Sequence, residues 1–549
     1  MTILSLPYRW VTNLVDLREK RTFSIHVVLA FATFVGFGRI MLEFMLCSPG
    51  MGSSLAGYLS YVTFYFMNAF LYTTAVAALA GVPWKKAINV VLIGVFVGIF
   101  PPLLDTIFVG LHEFRYVYNN QWLEGWRWWI YNPERHIPPG EAITLWFTIG
   151  LLPLYVWIRT RSLARTAAAL VAGYAVCFFY VTVVASLSKD LLKSGFVPAM
   201  RPTELALIAS LESSGEGVTN PRILQEIARR VHAVRIDYNA LAIALTTAVQ
   251  VAVAVVCHML LESRLARHLG QRVNHSLPFA GLVLLGAAAT RHFHPGLEPG
   301  PWTGLAPAVF IALVVLHLFN TAIVQNDYYD RDADRRGSVS FLGIEEVRFY
   351  DITAWLLIAT ALTVRPRVGA LLCLFQVVST LYNHDFYRGK KHFPANYKIE
   401  GIWGWTAFMA GAYTVLHPRE QVPSTVLVMG FLVFGGWSIF NAFKDYKDIR
   451  EDHRAGVQTA YVLLKRRGAS LRAFHLGLRA TMTCGFLVPL VFLLRWGTPA
   501  LVVAGIAATT TVPVFFALGG PPKKATVETV LALVSLYIVE LVWVFETVL

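Results

Sequence analysis

Charge is scarce in this chain: only 15% of its 549 residues are Asp, Glu, Lys or Arg, whereas 56% are hydrophobic. With a mean hydropathy of +0.55, that much apolar side chain exceeds what soluble cores can hide. Cysteine is scarcer still. The five present (Cys47, Cys177, Cys257, Cys373 and Cys484) sit far apart, in or beside apolar runs, which excludes a disulfide framework and a zinc pattern. There is no low-complexity tract and no convincing internal repeat. A cleavable leader is not expected either: the first apolar run begins near Phe23, is too long, and lacks a small-residue cleavage site. Acidic residues number 33 against 47 basic ones, a net charge of +14. The basic excess falls in short clusters between apolar runs, which is the positive-inside signature of membrane topology and a means of meeting lipid headgroups. Nucleic acid is not an expected partner.

What is abundant is apolar runs near the length of a bilayer crossing, about 20 residues. Fifteen can be marked, near 23–46, 57–81, 87–111, 142–158, 164–187, 238–261, 277–290, 303–325, 349–364, 368–383, 397–416, 424–443, 476–494, 499–518 and 527–548. Helices are expected over strands because a bilayer cannot solvate open peptide groups. The fold class is therefore an all-α polytopic membrane protein of about 15 transmembrane helices. With the N-terminus inside, the clusters "WKK", "RTRSLAR", "ESRLARHLGQR", "YRGKK" and "PPKK" all sort to one side. The basic segment 262–276 separates six spans from nine, giving an N-terminal membrane domain of unknown role, 1–262, and a second domain, 263–549. On the outer side, four tryptophans between Trp122 and Trp129 suit an interfacial anchor, and "NPRILQEIARRVHAV" suits a capped amphipathic helix.

Against this apolar background two acidic stretches stand out, "QNDYYDRDADRRG" (325–337) and "KDYKDIREDHRAG" (444–456). At about 100° per residue, Asp327, Asp330 and Asp334 share one helical face, and Asp445, Asp448 and Asp452 repeat the same spacing. Each triplet closes a span on the inside face. Three carboxylates crowded into a partly dry site repel one another unless cations intervene, and an all-oxygen donor set selects a hard cation. Magnesium fits, since it keeps waters, takes one or two carboxylates and completes its shell with substrate phosphates.

"NDYYDRDAD" resembles the first aspartate motif of the UbiA family of intramembrane prenyltransferases, and "KDYKDIREDHRAGVQT" resembles the second. "LYNHDFYRGKKHFPAN" between them is similar to the family's Tyr…Lys…Pro loop. The resemblance covers about 277–549 and implies a nine-helix UbiA-like bundle. Three positions depart from the family pattern: Lys444 opens the second motif in place of Asn, "RRGSVS" replaces Arg-Pro, and Asn383 follows the loop tyrosine in place of Ser. The activity implied is Mg-assisted ionisation of an allylic prenyl diphosphate and transfer of the prenyl group to a lipophilic acceptor, by default an aromatic or quinone precursor. Two Mg2+ ions are implied as cofactors. Asn326, Asp330 and Asp334 would serve the first ion with Asp327 in support; Asp448 and Asp452 would serve the second with Asp445 in support. Lys390 or Lys391 would bind diphosphate, with Arg388, Lys444 and Tyr382 as further candidates, and Asp327 or Asp445 is the guess for a proton acceptor. Trp403, Trp405, Phe408 and Tyr413 are candidate walls for an allyl cation. A UbiA-type terpene cyclase is the alternative in the same chemistry, and a transporter using the aspartates as a cation site is the alternative of another class. In the N-terminal half Asp105, behind two prolines, is either a functional carboxylate or a structural hydrogen-bond partner.

Overall fold

The computed structural model describes residues 5–46, 55–111, 139–178, 243–294, 306–330, 342–384, 387–416, 420–445, 449, 453, 456–518 and 524–548. The tryptophan cluster and the amphipathic segment of the outer loops lie outside these residues. All regular structure among the described residues is helical. They form two compact units whose boundary falls between Ala266 and Arg267.

The first unit holds α1 (Ser5–Glu19), α2 (Ile25–Leu46), α3 (Leu55–Ala80), α4 (Trp84–Phe96), α5 (Pro101–Phe108), α6 (Pro139–Thr160), α7 (Leu163–Phe178) and α8 (Ile243–Leu261). The apolar run 87–111 reads as one span but breaks between α4 and α5. The cause is local: Pro101 and Pro102 have no N–H to give the carbonyls of Val97 and Gly98. The Gly98 carbonyl instead accepts from the Tyr65 hydroxyl at 2.9 Å and the Arg39 guanidinium at 3.4 Å. Arg39 also grips Glu43 at 2.5 Å, and Glu43 accepts the Tyr61 hydroxyl at 2.8 Å. Asp105 is fully buried and accepts the Gly140 N–H at the start of α6. A carboxylate on a helix N-terminus satisfies an orphan donor and the helix dipole together, so Asp105 has a structural partner.

The boundary lies within the short helix α9 (Ser263–Gln271). The second unit continues with α10 (Val273–Phe293), α11 (Ala306–Asp330), α12 (Ile344–Val364), α13 (Pro366–Asn383), α14 (Ala395–Val415) and α15 (Ser424–Lys444). Then follow α16 (Ala460–Arg466), α17 (Leu471–Arg495), α18 (Ala500–Ile506), α19 (Val512–Ala517) and α20 (Lys524–Thr547). The tightest crossing is between α10 and α14. A Cβ on Gly286 would stand 1.9 Å from the Phe408 carbonyl oxygen, and one on Gly411 would stand 1.8 Å from that of Val283. Each helix thus presents a glycine to the other's backbone, the close approach that small residues allow between membrane helices. At its far end α10 is tied to α20 by a buried Arg291–Glu546 pair at 2.7 Å.

Twelve helical spans among the described residues are long and apolar enough to cross a membrane, with α4 and α5 together (Trp84–Phe108) and α18 and α19 together (Ala500–Ala517) each forming one span. The sequence reading counts fifteen, and each of those runs overlaps a helix. The three that fall short are α7, described as apolar only over Leu163–Val176, and the helices α13 and α14. The latter two carry Arg367, Gln376 and Asn383, and Asn396, Lys398 and Glu400, respectively. Their apolar character is diluted by polar residues, several of which face the site described next.

Gly286→Ala and Gly411→Ala should each lower the thermal unfolding midpoint of the detergent-solubilised protein, by about 1–3 kcal/mol of stability. Gly435→Ala, where a Cβ meets nothing within 4 Å, should be neutral or mildly stabilising.

Candidate active site

α11 ends in Gln325-Asn326-Asp327-Tyr328-Tyr329-Asp330. Successive residues turn by about 100°, so Asn326 and Asp330 share a face while Gln325 and Asp327 point to either side of it. Asn326 and Asp330 meet the basic loop: the Lys390 ammonium donates to Asn326 Oδ1 at 2.9 Å and to Asp330 Oδ2 at 2.5 Å. Arg388, held in the left-handed region at φ 51°, turns its guanidinium onto the Tyr329 carbonyl at 2.8 Å and Asp330 Oδ1 at 3.3 Å. Burial pulls the Lys390 pKa down from its ordinary value, and the Asp330 carboxylate works against that shift.

Asp327 lies to one side of that face and meets different partners. It is 5% exposed and lies between His268 Nε2 at 2.6 Å and Arg272 Nη1 at 3.0 Å. The residue expected as a supporting metal ligand and candidate proton acceptor is thus enclosed by two basic side chains. Sequence reasoning missed both, having read their segment as topology charge; their one-turn spacing beside α9 was the available signal. Gln325 donates to Asp351 Oδ1 of α12 at 2.6 Å, and Asn383 donates to the Ala322 carbonyl at 3.1 Å, fixing α11 against α12 and α13.

The second motif enters through Asp445, directly after α15, which hydrogen-bonds the Tyr397 hydroxyl. That hydroxyl also accepts the Ala460 N–H at 2.9 Å. The chain leaving the motif turns at Gly456 (φ 74°), and Thr459 caps α16 by accepting the Val462 N–H. Between them Gln458 N donates to the Lys391 carbonyl at 3.0 Å, stitching the basic loop to the second motif's exit. Lys391 is therefore anchored through its backbone. The side chains of Asp334, Asp448, Asp452 and Lys444 lie outside the described residues.

Tyr382 links the two acidic groups. It lies within electrostatic reach of both Asp330 and Asp445. Its hydroxyl, expected on diphosphate, donates instead to Glu400 Oε1 at 2.7 Å, and Glu400 is a buried carboxylate that sequence reasoning passed over. Beside it stands an aromatic box. Trp403 is edge-on to Tyr382 at 5.2 Å and stacked on Phe375 at 6.0 Å, and Phe279 stacks on Phe319 at 4.4 Å. Of the four aromatic residues expected, Trp403 lies in this box. Tyr413 instead packs under Arg367, and the indole of Trp405 lies beside Gly430 of α15.

Among the described residues no three His, Cys, Asp or Glu side chains gather as a metal site. The chemistry of the donors still suits a hard cation: Asn326 Oδ1 and Asp330 Oδ2 together grip one positive charge, the Lys390 ammonium, with oxygen atoms alone.

Residues 347–536 match the sequence profile of the UbiA prenyltransferase family. No curated protein matches the chain. Among solved structures, a UbiA homolog from Archaeoglobus fulgidus bound to DMAPP and Mg2+ is similar at 20% identity, covering 50% of this chain and 99% of that one, with a TM-score of 0.36. An apo UbiA homolog from Aeropyrum pernix K1 is similar at 20% identity, covering 50% and 98%, with a TM-score of 0.38. A structure concerning digeranylgeranylglyceryl phosphate synthase in membranes is similar at 14% identity, covering 50% and 95%, with a TM-score of 0.35. The chain is a multi-pass membrane protein in which residues 347–536 carry the match to the UbiA prenyltransferase family.

Proposed function

We propose that the protein is a Mg2+-dependent intramembrane prenyltransferase that moves the prenyl group of an allylic prenyl diphosphate to a lipophilic aromatic or quinone-precursor acceptor. Residues 263–549 form the catalytic domain, and the acidic motifs face the cytoplasm. The observation that carries this reading is the Lys390 ammonium held between Asn326 and Asp330 with Arg388 alongside. A site that sets metal-type oxygen donors directly against phosphate-type cations is built for a metal diphosphate.

Asn326, Asp330 and Asp334 would hold one ion and Asp448 and Asp452, with Asp445, a second. When bound, the metal supplies Lewis-acid neutralisation of the charge developing on the departing diphosphate. The chain's own groups do the rest. Lys390 and Arg388 turn from Asp330 to the diphosphate oxygens, Lys390 as a point charge and Arg388 through its planar fork. Lys391 and Lys444 would add positive charge for the diphosphate. Asp327, held by His268 and Arg272, acts as a positioning residue: it pins the last turn of α11, so that Asn326 and Asp330 keep one orientation. The aromatic box of Phe279, Phe319, Phe375 and Trp403 excludes water and offers ring faces to an allyl cation.

Pyrophosphate release from geranyl diphosphate should vanish on chelation with EDTA and return with added Mg2+. Asp330→Ala and Lys390→Ala should each lower the rate by about 100-fold or more, measured on folded protein of unchanged elution volume. Orientation has a separate test. In a cysteine-free background, Arg466→Cys should react with an impermeant maleimide in inverted vesicles and stay unlabelled in intact cells.

A further inference from the structure

One face of α14 carries polar groups, the Glu400 carboxylate and the Trp403 indole N–H among them, to which the reaction above gives no task. Asn396, Glu400 and Trp403 fall within about 60° of one another on the helix. Glu400 is 5% exposed and accepts the Tyr382 hydroxyl at 2.7 Å. Trp403, also 5% exposed, is surrounded by rings: Phe375 at 6.0 Å, Phe319 at 5.6 Å and Tyr382 at 5.2 Å. Its indole Nε1 is buried and has no hydrogen-bond partner among the described residues, and the same holds for Asn396 Oδ1.

A buried N–H without an acceptor is rare, because burial removes the water that would otherwise satisfy it. An indole can only donate, so what it lacks is an oxygen or nitrogen atom. Stacked and edge-on rings line the approach, which favours a flat aromatic body carrying that atom. A carboxylate stands one turn away on the same face, against Tyr382, itself within reach of Asp330 and Asp445. A donor, a proton acceptor and aromatic walls therefore converge beside Tyr382.

We propose that Trp403 and Glu400 form the acceptor subsite for a hydroxyl-bearing aromatic ring, with the Trp403 N–H donating to the acceptor's oxygen and Glu400 taking its proton. The inference rests on the prenyl-transfer reading and adds the residues that receive the acceptor's oxygen and its proton. The allylic carbon–oxygen bond breaks, with its electron pair leaving on pyrophosphate. A π pair of the ring forms the new carbon–carbon bond to the prenyl C1 while the phenolic proton passes to a Glu400 oxygen, so a neutral dienone results. Re-aromatisation loses the ring C–H proton and restores a proton to the oxygen. The one proton left over per turnover departs through Glu400 together with pyrophosphate.

The test uses the full-length protein in nanodiscs with Mg2+, geranyl diphosphate and 1-naphthol as the acceptor probe. The readout is the ratio of geranylated naphthol to geraniol, the product formed when water captures the cation. Glu400→Gln should lower that ratio by about 100-fold, and Glu400→Asp should restore part of it. A merely structural role would lower both products together and leave the ratio unmoved. Trp403→Phe keeps the ring and removes the N–H; it should raise KM for 1-naphthol about tenfold with kcat within about threefold, and it decides the matter should the Glu400 variants fail to fold. An unchanged ratio in Glu400→Gln, or an unchanged KM in Trp403→Phe, overturns the inference while leaving the transfer reading intact. If the wild type itself cleaves no geranyl diphosphate, the transfer reading fails and this inference fails with it.

Discussion

A carboxylate inside an apolar bundle has to be answered by a cation or a donor, and in the second unit that requirement organises the site. Asp327 is answered by His268 and Arg272, Asp330 by Lys390 and Arg388, Asp445 by Tyr397, and Glu400 by Tyr382. For Asp327, whose side chain is 6% exposed, losing a partner would be strongly destabilising because the remaining charge has nowhere to go, whereas Asp330, 35% exposed, keeps access to solvent and loses less. These contacts therefore hold the segment around α9, the end of α11, the basic loop and the exit of the second motif in mutual register. In the proposed reading, the same balance would let the site open to substrate. A metal diphosphate would bring positive charge for the carboxylates and negative charge for the lysine and arginine. Asp330 would exchange Lys390 for a metal while Lys390 exchanged Asp330 for phosphate, with no charge left uncompensated.

Much of this was legible in the sequence because its signals are periodic or local. Each of the fifteen apolar runs overlaps a helix, and Asp330 of the first triplet does meet the basic loop, whereas Asp327 of the same triplet meets His268 and Arg272. Gly456 turns and Thr459 caps as their residue types suggest. What stayed hidden depends on contacts between distant segments. His268 reaches Asp327 across 59 residues, and nothing in a basic cluster separates a topology charge from a partner until the helices pack. Nothing in the apolar run 397–416 pairs Glu400 with Tyr382 until the helices pack. Among the aromatic residues the helical phase decides: Trp403 lies on the face of α14 that carries Glu400, whereas Trp405 is turned by about 200° from it.

The broken span of the first unit shows the same division. The two prolines announce that α4 cannot run on into α5, but not which groups would answer the freed carbonyl. Tyr65 and Arg39 do so from two other helices, and Arg39 is then committed to Glu43 as well. Asp105 is committed likewise, to the first turn of α6. Arg39, Glu43 and Asp105 thus hold helices of the first unit together.

The second unit is different in kind. Beside its answered carboxylates, the amide oxygens of Gln325, Gln376 and Asn383 and the indole N–H of Trp403 are buried without partners among the described residues. Three of these four belong to α13 and α14, the two full-length helices whose hydropathy falls short of the spanning threshold. Polar atoms that lower a helix's affinity for lipid and also lack internal partners are destabilising on both counts. Their presence is economical only if an external group completes them, as water or as substrate. The unmet hydrogen-bonding capacity, and not the acidic motifs alone, thus points to the interior of the second unit as the place where a ligand is received.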